Sequence, residues 1–181
     1  MQLPCRRFGR TNLEIPVLSL GGMRFQKSWD ELKFSEISLN EQQKVENILN
    51  IANKFGFNHI ETAKYYGTSE IQLGMGFKSI KKIPKIIQTK IPPNHDPKLF
   101  ETELLKSFEN LQVKKIDLLA IHGINLPEHL HQTVKDGGCI DILKKFQKEN
   151  LIGHIGFSTH GESSLIAVSY THLTLPTICS V

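Results

Sequence analysis

The chain has 181 residues, 39% of them hydrophobic and 22% charged, with a formal net charge of +4. That is the balance of an ordinary globular protein long enough to bury one sizeable core. The lysines are scattered rather than clustered and no apolar run approaches the ~20 residues of a membrane span, so neither nucleic acid nor membrane is an expected partner. Cys5, Cys139 and Cys179 lie far apart without paired ligand spacing. That argues against a disulfide framework and a metal site, and with no signal peptide it points to a reducing cytoplasm.

Strand-like and helix-like segments alternate along the chain. A first strand centres near Leu18. Ser38-Leu39-Asn40-Glu41 reads as a capping box. Val45, Ile48, Leu49, Ala52 and Phe55 then recur at helical spacing until Gly56 stops the helix. A strand over Phe57–Ile60 follows, then a helix from about Thr68 or Ser69 to Lys78, then a strand over Lys85–Lys90. Asp96-Pro97 is an N-cap and N1 pair leading a helix with Phe100, Leu104, Phe108 and Leu111 inward. A strand over Ile116–His122, a connection through Gly137-Gly138, a helix over Ile140–Glu149 and a strand over Ile155–Ser158 complete the pattern. Strand centres spaced by roughly 30 to 40 residues are βα units.

The stretch His59-Ile60-Glu61-Thr62-Ala63-Lys64-Tyr65-Tyr66-Gly67 carries the chemistry. A carboxylate at a strand end, then small residues, a phenol and a glycine turn suit a phenol that donates a proton near an acid-held cation. Lys90 closes the run Ile86-Ile87, and His122 closes Ile116–Ile121. In a barrel of parallel strands such C-terminal ends converge on one rim, where chemistry is done. Taken singly, these are a surface tyrosine, a loop lysine and a core histidine; together and in order they read as a site.

The stretch resembles the Asp-Thr-Ala-x-x-Tyr-Gly signature of the aldo/keto reductases, with Glu61 in the aspartate position. The resemblance runs from about Cys5 to Ala167. Arg7 to Met23 resembles that family's N-terminal hairpin and first barrel strand, and Leu151 to His160 its fifth strand. Glu61, His122-Gly123-Ile124-Asn125 and Ser158-Thr159-His160-Gly161 resemble a branch of oxidoreductases that often carries a ferredoxin-like 4Fe-4S segment after the barrel, none of which is in this sequence. The implied fold is α/β, a partial (β/α)8 TIM barrel with the N-terminal hairpin and the first five βα units; a closed barrel takes eight strands and typically ~250 residues.

The resemblance implies an NADPH- or NADH-dependent enzyme reducing a small-molecule carbonyl to an alcohol. Tyr66 would protonate the substrate oxygen, with its pKa lowered by Lys90. Glu61 would hold Lys90, His122 would orient the substrate oxygen, and Gly22, Met23, Ser158 and Thr159 would meet the cofactor, although asparagine is usual where Thr159 stands. Glu61 is one methylene longer than aspartate, enough to move the ammonium by about an ångström, and misplacement on that scale can cost about a hundredfold in rate. Two other classes fit the same fold: a cofactor-binding regulatory subunit that would not turn over a carbonyl, and a Schiff-base aldolase that borohydride would trap at Lys90.

Residues 1–167 are read as the first part of the barrel and residues 168–181 as a foreign tail. The string Val168-Ser169-Tyr170-Thr171-His172-Leu173-Thr174-Leu175-Pro176-Thr177 breaks the helical pattern begun at Ser163-Ser164-Leu165-Ile166-Ala167. It is what a transposase sequencing adapter encodes in one reading frame. Without the remaining units, sheet edges and apolar surface are left uncovered. The chain on its own is therefore expected to be inactive, and insoluble or molten.

Overall fold

A computed structural model of the chain describes residues 3–25, 28–80, 84–173 and 179–180. Strands β1 (Cys5–Arg7) and β2 (Glu14–Pro16) form an antiparallel hairpin. Then follow β3 (Leu20–Gly21), α1 (Leu39–Phe55), β4 (His59–Glu61), α2 (Ser69–Ser79), β5 (Ile86–Ile91), α3 (Pro97–Leu111) and β6 (Ile116–Ile121). The connection after β6 holds α4 (Pro127–Val134) and α5 (Cys139–Lys148), and β7 (Ile152–Ser158), α6 (Ser163–Leu173) and β8 (Cys179–Ser180) end the chain. Strands β3 to β8 pair in sequence order, all parallel. This is part of a (β/α)8 barrel preceded by its hairpin, as expected, with the two-residue β8 added beyond the five expected strands.

Local chemistry sets the helix ends. The Ser38 hydroxyl accepts from the Glu41 amide at 3.4 Å, and Gly56, at φ +80°, sends its amide back to Ala52 and Asn53. Asp96 accepts from the Lys98 amide at 2.8 Å, with Pro97 filling the first helical position where no amide is needed. Val45, Leu49 and Ala52 of α1 are buried, whereas Ile48 and Phe55, expected on the same face, are exposed. The reason is positional: α1 lies against α2 beside β3, the edge of the sheet, and its far flank is uncovered.

Three elements depart from the sequence reading. The first barrel strand is Leu20–Gly21, and Leu18 is exposed. Helix α4 was not expected, because only Leu130 and Thr133 are buried along it, too few to register as an apolar period; Pro127 at its first turn was the available signal. Helix α6 continues past Ala167 to Leu173, since β-branched residues such as Val168 and Thr171 cost a helix less than ~1 kcal/mol each. Residues 174–178 and 181 of the expected foreign tail lie outside the described residues.

The two faces of the sheet differ in kind. Along β5, Ile87 and Ile91 join the large core beneath the helices with Leu73, Phe100 and Leu104. Thr89, on that same face, donates at 2.7 Å to the fully buried Glu70 of α2, which also accepts from Asn110 of α3 at 3.3 Å. Burial pushes the Glu70 carboxyl upward, against these hydrogen bonds and the charge of Lys64. On the other face, Ile86 and Leu118 pack with Ile15, Phe8 and Leu13 of the hairpin region. The hairpin thus plugs the N-terminal end of the strands, while Gln88 and Lys90 follow Ile86 at strand period toward the opposite rim.

Helices α2 and α3 touch at Gly74, where a Cβ would strike the Asn110 carbonyl oxygen and the Leu111 backbone. Gly74→Val should therefore cost about 3 kcal/mol by overpacking, against about 1 kcal/mol for loss of the α3 cap in Asp96→Ala. Urea denaturation of the two variants, expected in that order, checks which contact dominates.

Candidate active site

Glu61 ends β4, Lys90 lies in β5, His122 follows β6 and Ser158 ends β7. The parallel register sets Glu61 beside Gln88 and Lys90 beside Ala120. Inward side chains therefore pair on the diagonal. One strand step down, His59 Nε2 donates to Gln88 Oε1 at 3.0 Å, and Ser19 Oγ lies 2.7 Å from His59 Nδ1. Because the amide oxygen can only accept, Nε2 must carry the proton and Nδ1 must accept from the serine. Burial keeps this imidazole below its ordinary pKa. One step up, the Lys90 ammonium is ion-paired with Glu61 and donates to the Thr62 carbonyl at 3.0 Å.

The turn after β4 brings Tyr66 over this pair. The Thr62 and Lys64 amides extend the ladder to the Gln88 and Lys90 carbonyls at 2.9 Å each. The Tyr66 amide then bonds Ala63 and the Ser69 amide bonds Tyr66, both at 3.0 Å, with Gly67 at φ +53° between them. Lys90 Nζ sits 4.7 Å from the Tyr66 ring centroid. The His122 ring meets Tyr66 edge-on at 5.9 Å and Tyr65 at 6.2 Å. Glu61, Lys90, Tyr66 and His122 are thus one cluster.

Its electrostatics follow from burial. The Lys90 side chain is 5% exposed and that of Glu61 25%. Burial draws the Lys90 pKa down to about 8, while the adjacent carboxylate favours the charged form. Burial raises the Tyr66 phenol, whereas the sequence reading had Lys90 lowering it; the ammonium faces the ring, and desolvation prevails. His122 is lowered to about 4 by burial first, then by the charges of Lys90 and His160, and is neutral at physiological pH. Its Nδ1 is buried with no hydrogen-bond partner among the described residues.

The residues expected at the cofactor are arranged unevenly. Ser158 Oγ accepts from the Gly123 amide at 3.1 Å, which leaves its proton for an acceptor on the rim. The Thr159 hydroxyl is committed to the Ile124 carbonyl at 2.6 Å. Gly22 is packed tightly, with its amide on the Glu61 carbonyl at 2.6 Å and its carbonyl on Ser69 Oγ at 2.8 Å. Met23, next to it, is partly exposed. Beside His122, a cleft of ≈ 480 Å³ runs between the loop Pro92–His95 and α4, with Tyr65, Asn125 and Gln132 among its walls. Sequence reasoning missed α4 and the pairing of Lys64 with Glu31 and Glu103. Glu31 lies in no motif, so nothing in its surroundings marked it.

The aldo/keto reductase family profile matches residues 17–179. The chain belongs to the aldo/keto reductase family. A thermostable aldo-keto reductase solved with the inhibitor epalrestat is 26% identical, with TM-score 0.77 over 97% of this chain and 60% of its own. An aldo-keto reductase of Bacillus halodurans in its holo form is 17% identical, with TM-score 0.77 over 99% of this chain and 58% of its own. One from Bombyx mori, solved with NADP, is 20% identical, with TM-score 0.68 over 100% of this chain and 59% of its own. This chain thus spans about three fifths of the length of these three reductases. No curated protein matches it. Among the described residues, no group of three or more His, Cys, Asp and Glu could hold a metal ion, and no helix is long and apolar enough to cross a membrane.

The ion pair has an asymmetric worth. Glu61→Gln leaves a buried ammonium without its partner, whereas Lys90→Met leaves a carboxylate that can reach water. Glu61→Gln should cost ~3 kcal/mol of unfolding free energy at neutral pH and Lys90→Met clearly less. Urea titrations of both variants decide it, and equal losses would mean that the pair is solvated.

Proposed function

We propose that this barrel belongs to an NADPH-dependent oxidoreductase, NADH being the alternative donor, that reduces a small-molecule carbonyl to an alcohol. The observation that carries this reading is the clustering of Tyr66, Lys90, Glu61 and His122 on one rim, at 4.7 Å from ammonium to phenol ring and 5.9 Å from phenol ring to imidazole. Membership of the aldo/keto reductase family and the NADP in the Bombyx mori structure support the choice of cofactor. The activity is that of a cytoplasmic protein with a complete barrel, of which this chain holds the first units.

A reduced nicotinamide, when bound, supplies the hydride. Ser158 fits the role of its carboxamide partner because its hydroxyl proton meets no acceptor among the described residues, and partly exposed Met23 could pack against it. Thr159 fits less well, its proton already being committed. Gly22 serves by its small size at a crowded strand end. His122 enters as a neutral imidazole and hydrogen-bonds the substrate oxygen. Tyr66, kept protonated by burial, passes its phenolic proton to that oxygen as negative charge grows there. The Lys90 ammonium steadies the phenolate left behind, and Glu61 together with the Thr62 carbonyl holds the ammonium in place. With a pKa of about 8 this lysine is still mostly the cation at neutral pH, whereas a Schiff base needs the free amine.

Tyr66→Phe should lower carbonyl-dependent NADPH oxidation on the order of a hundredfold or more, with the dissociation constant for NADPH unchanged. Unaltered turnover would remove Tyr66 from the mechanism. Labelling of Lys90 by borohydride in the presence of an aldehyde would favour the Schiff-base enzyme, and NADPH binding without turnover the regulatory subunit.

The pH dependence has a definite sign. Lys90 is cationic below about 8 and loses its charge as the pH rises through that value, so kcat/KM should fall on the alkaline side from about pH 8. His122, at about 4, stays neutral between pH 5 and 8 and should add no inflection near the ordinary histidine value of ~6.5. A pH–rate profile in a constant-ionic-strength buffer series checks both limbs.

A further inference from the structure

We infer that Glu31 is a positioning residue, tying the strap Ser28–Asp30 across the Tyr65–Gly67 turn and so holding Tyr66 over Lys90 and beside His122. The inference rests on the reading of Tyr66 as proton donor. Its geometric basis is separate. Gly67 has φ +53°, and a Cβ there would strike the Ser28 carbonyl oxygen and approach Trp29 Cα to 3.0 Å, so the strap lies directly on the turn. The strap is itself a compact bend: Ser28 Oγ accepts from the Asp30 amide at 3.0 Å and donates to the Asp30 carboxylate at 3.1 Å.

The anchor is Glu31. Its carboxylate is ion-paired with Lys64 and with Lys106 of α3. The Lys64 side chain is only 2% exposed, and Glu103 of α3 meets it from another side at 3.2 Å. Loss of Glu31 would leave this buried ammonium with one partly exposed carboxylate partner in place of two, so the pair is worth more than one between surface groups. Burial tends to raise the Glu31 carboxyl, but hydrogen bonds and charge from Lys106 and Lys64 bring it below its ordinary value.

Lys64 is also the mechanical link. Its amide bonds the Lys90 carbonyl at 2.9 Å and it lies two residues before Tyr66. One residue thus joins the strap by its side chain and the site by its main chain. Misplacing a catalytic group by about 1 Å can cost on the order of a hundredfold, so a turn that rattles is enough to slow proton transfer without changing what binds.

The test is amide hydrogen exchange on the full 181-residue chain. Glu31→Gln should speed exchange of the Tyr66 and Ser69 amides about tenfold or more, leaving Leu119 and Ile121 of β6 unchanged. Lys106→Met, which removes the outer anchor alone, should give a smaller rise at the same two amides, and Glu31→Asp should restore most of the protection. In turnover by the protein with its barrel complete, Glu31→Gln should lower kcat about tenfold, with KM and NADPH affinity held. Unchanged exchange at Tyr66 and Ser69, or a uniform rise that includes β6, overturns the inference. Wild-type turnover in Tyr66→Phe of the complete barrel would instead overturn the parent reading, while the exchange result still decides the strap.

Discussion

The parallel register between β4 and β5 is the constraint on which the site depends. With Glu61 beside Gln88, every inward side chain of β4 reaches the inward side chain one strand step ahead on β5. The lower diagonal is neutral, His59 with Gln88, and the upper one is charged, Glu61 with Lys90. A slip of one residue would turn all four toward the helices and expose β-branched residues to the barrel interior. The register is protected because Ile60, Ile87 and Ile91 on the outer face are locked into the main core.

Below the site the same strands carry their apolar residues. Ile86 and Leu118 meet Ile15 of the hairpin region, closing the N-terminal end with apolar surface. From bottom to top the interior passes from apolar plug to neutral hydrogen bonds to ion pair. That gradient lets Lys90 be desolvated without being stranded: it is removed from water on the lower side and met by a carboxylate and a carbonyl on the upper. The outcome is an ammonium poised near pH 8 beside a phenol that stays protonated.

The helical layer contributes through a second polar network. Glu70 ties α2 to Thr89 of β5 and Asn110 of α3, and Lys64 feels both Glu70 and the carboxylates of Glu31 and Glu103. Removing Glu70 would leave the buried Thr89 and Asn110 side chains without this acceptor. The turn that carries Tyr66 is therefore braced by the layer behind it and by the strap above it.

Local order was legible from residues alone because caps, breakers and periods act within a few positions: Ser38, Gly56 and Asp96-Pro97 set helix ends, and the strand ends carrying Glu61, Lys90 and His122 stood out as polar closures of apolar runs. Helix α4 and the persistence of α6 to Leu173 were not, since the first buries too few apolar residues to show a period and the second overcomes weak propensities. What only the tertiary structure decided were effects between distant segments. Glu31 meets Lys106 across 75 positions of chain. The Tyr66 phenol is raised rather than lowered, because desolvation and the approach of Lys90 to the ring face are properties of packing. A sequence states which charges exist; how much water each loses, and which partner it then finds, is settled when the strands come into register.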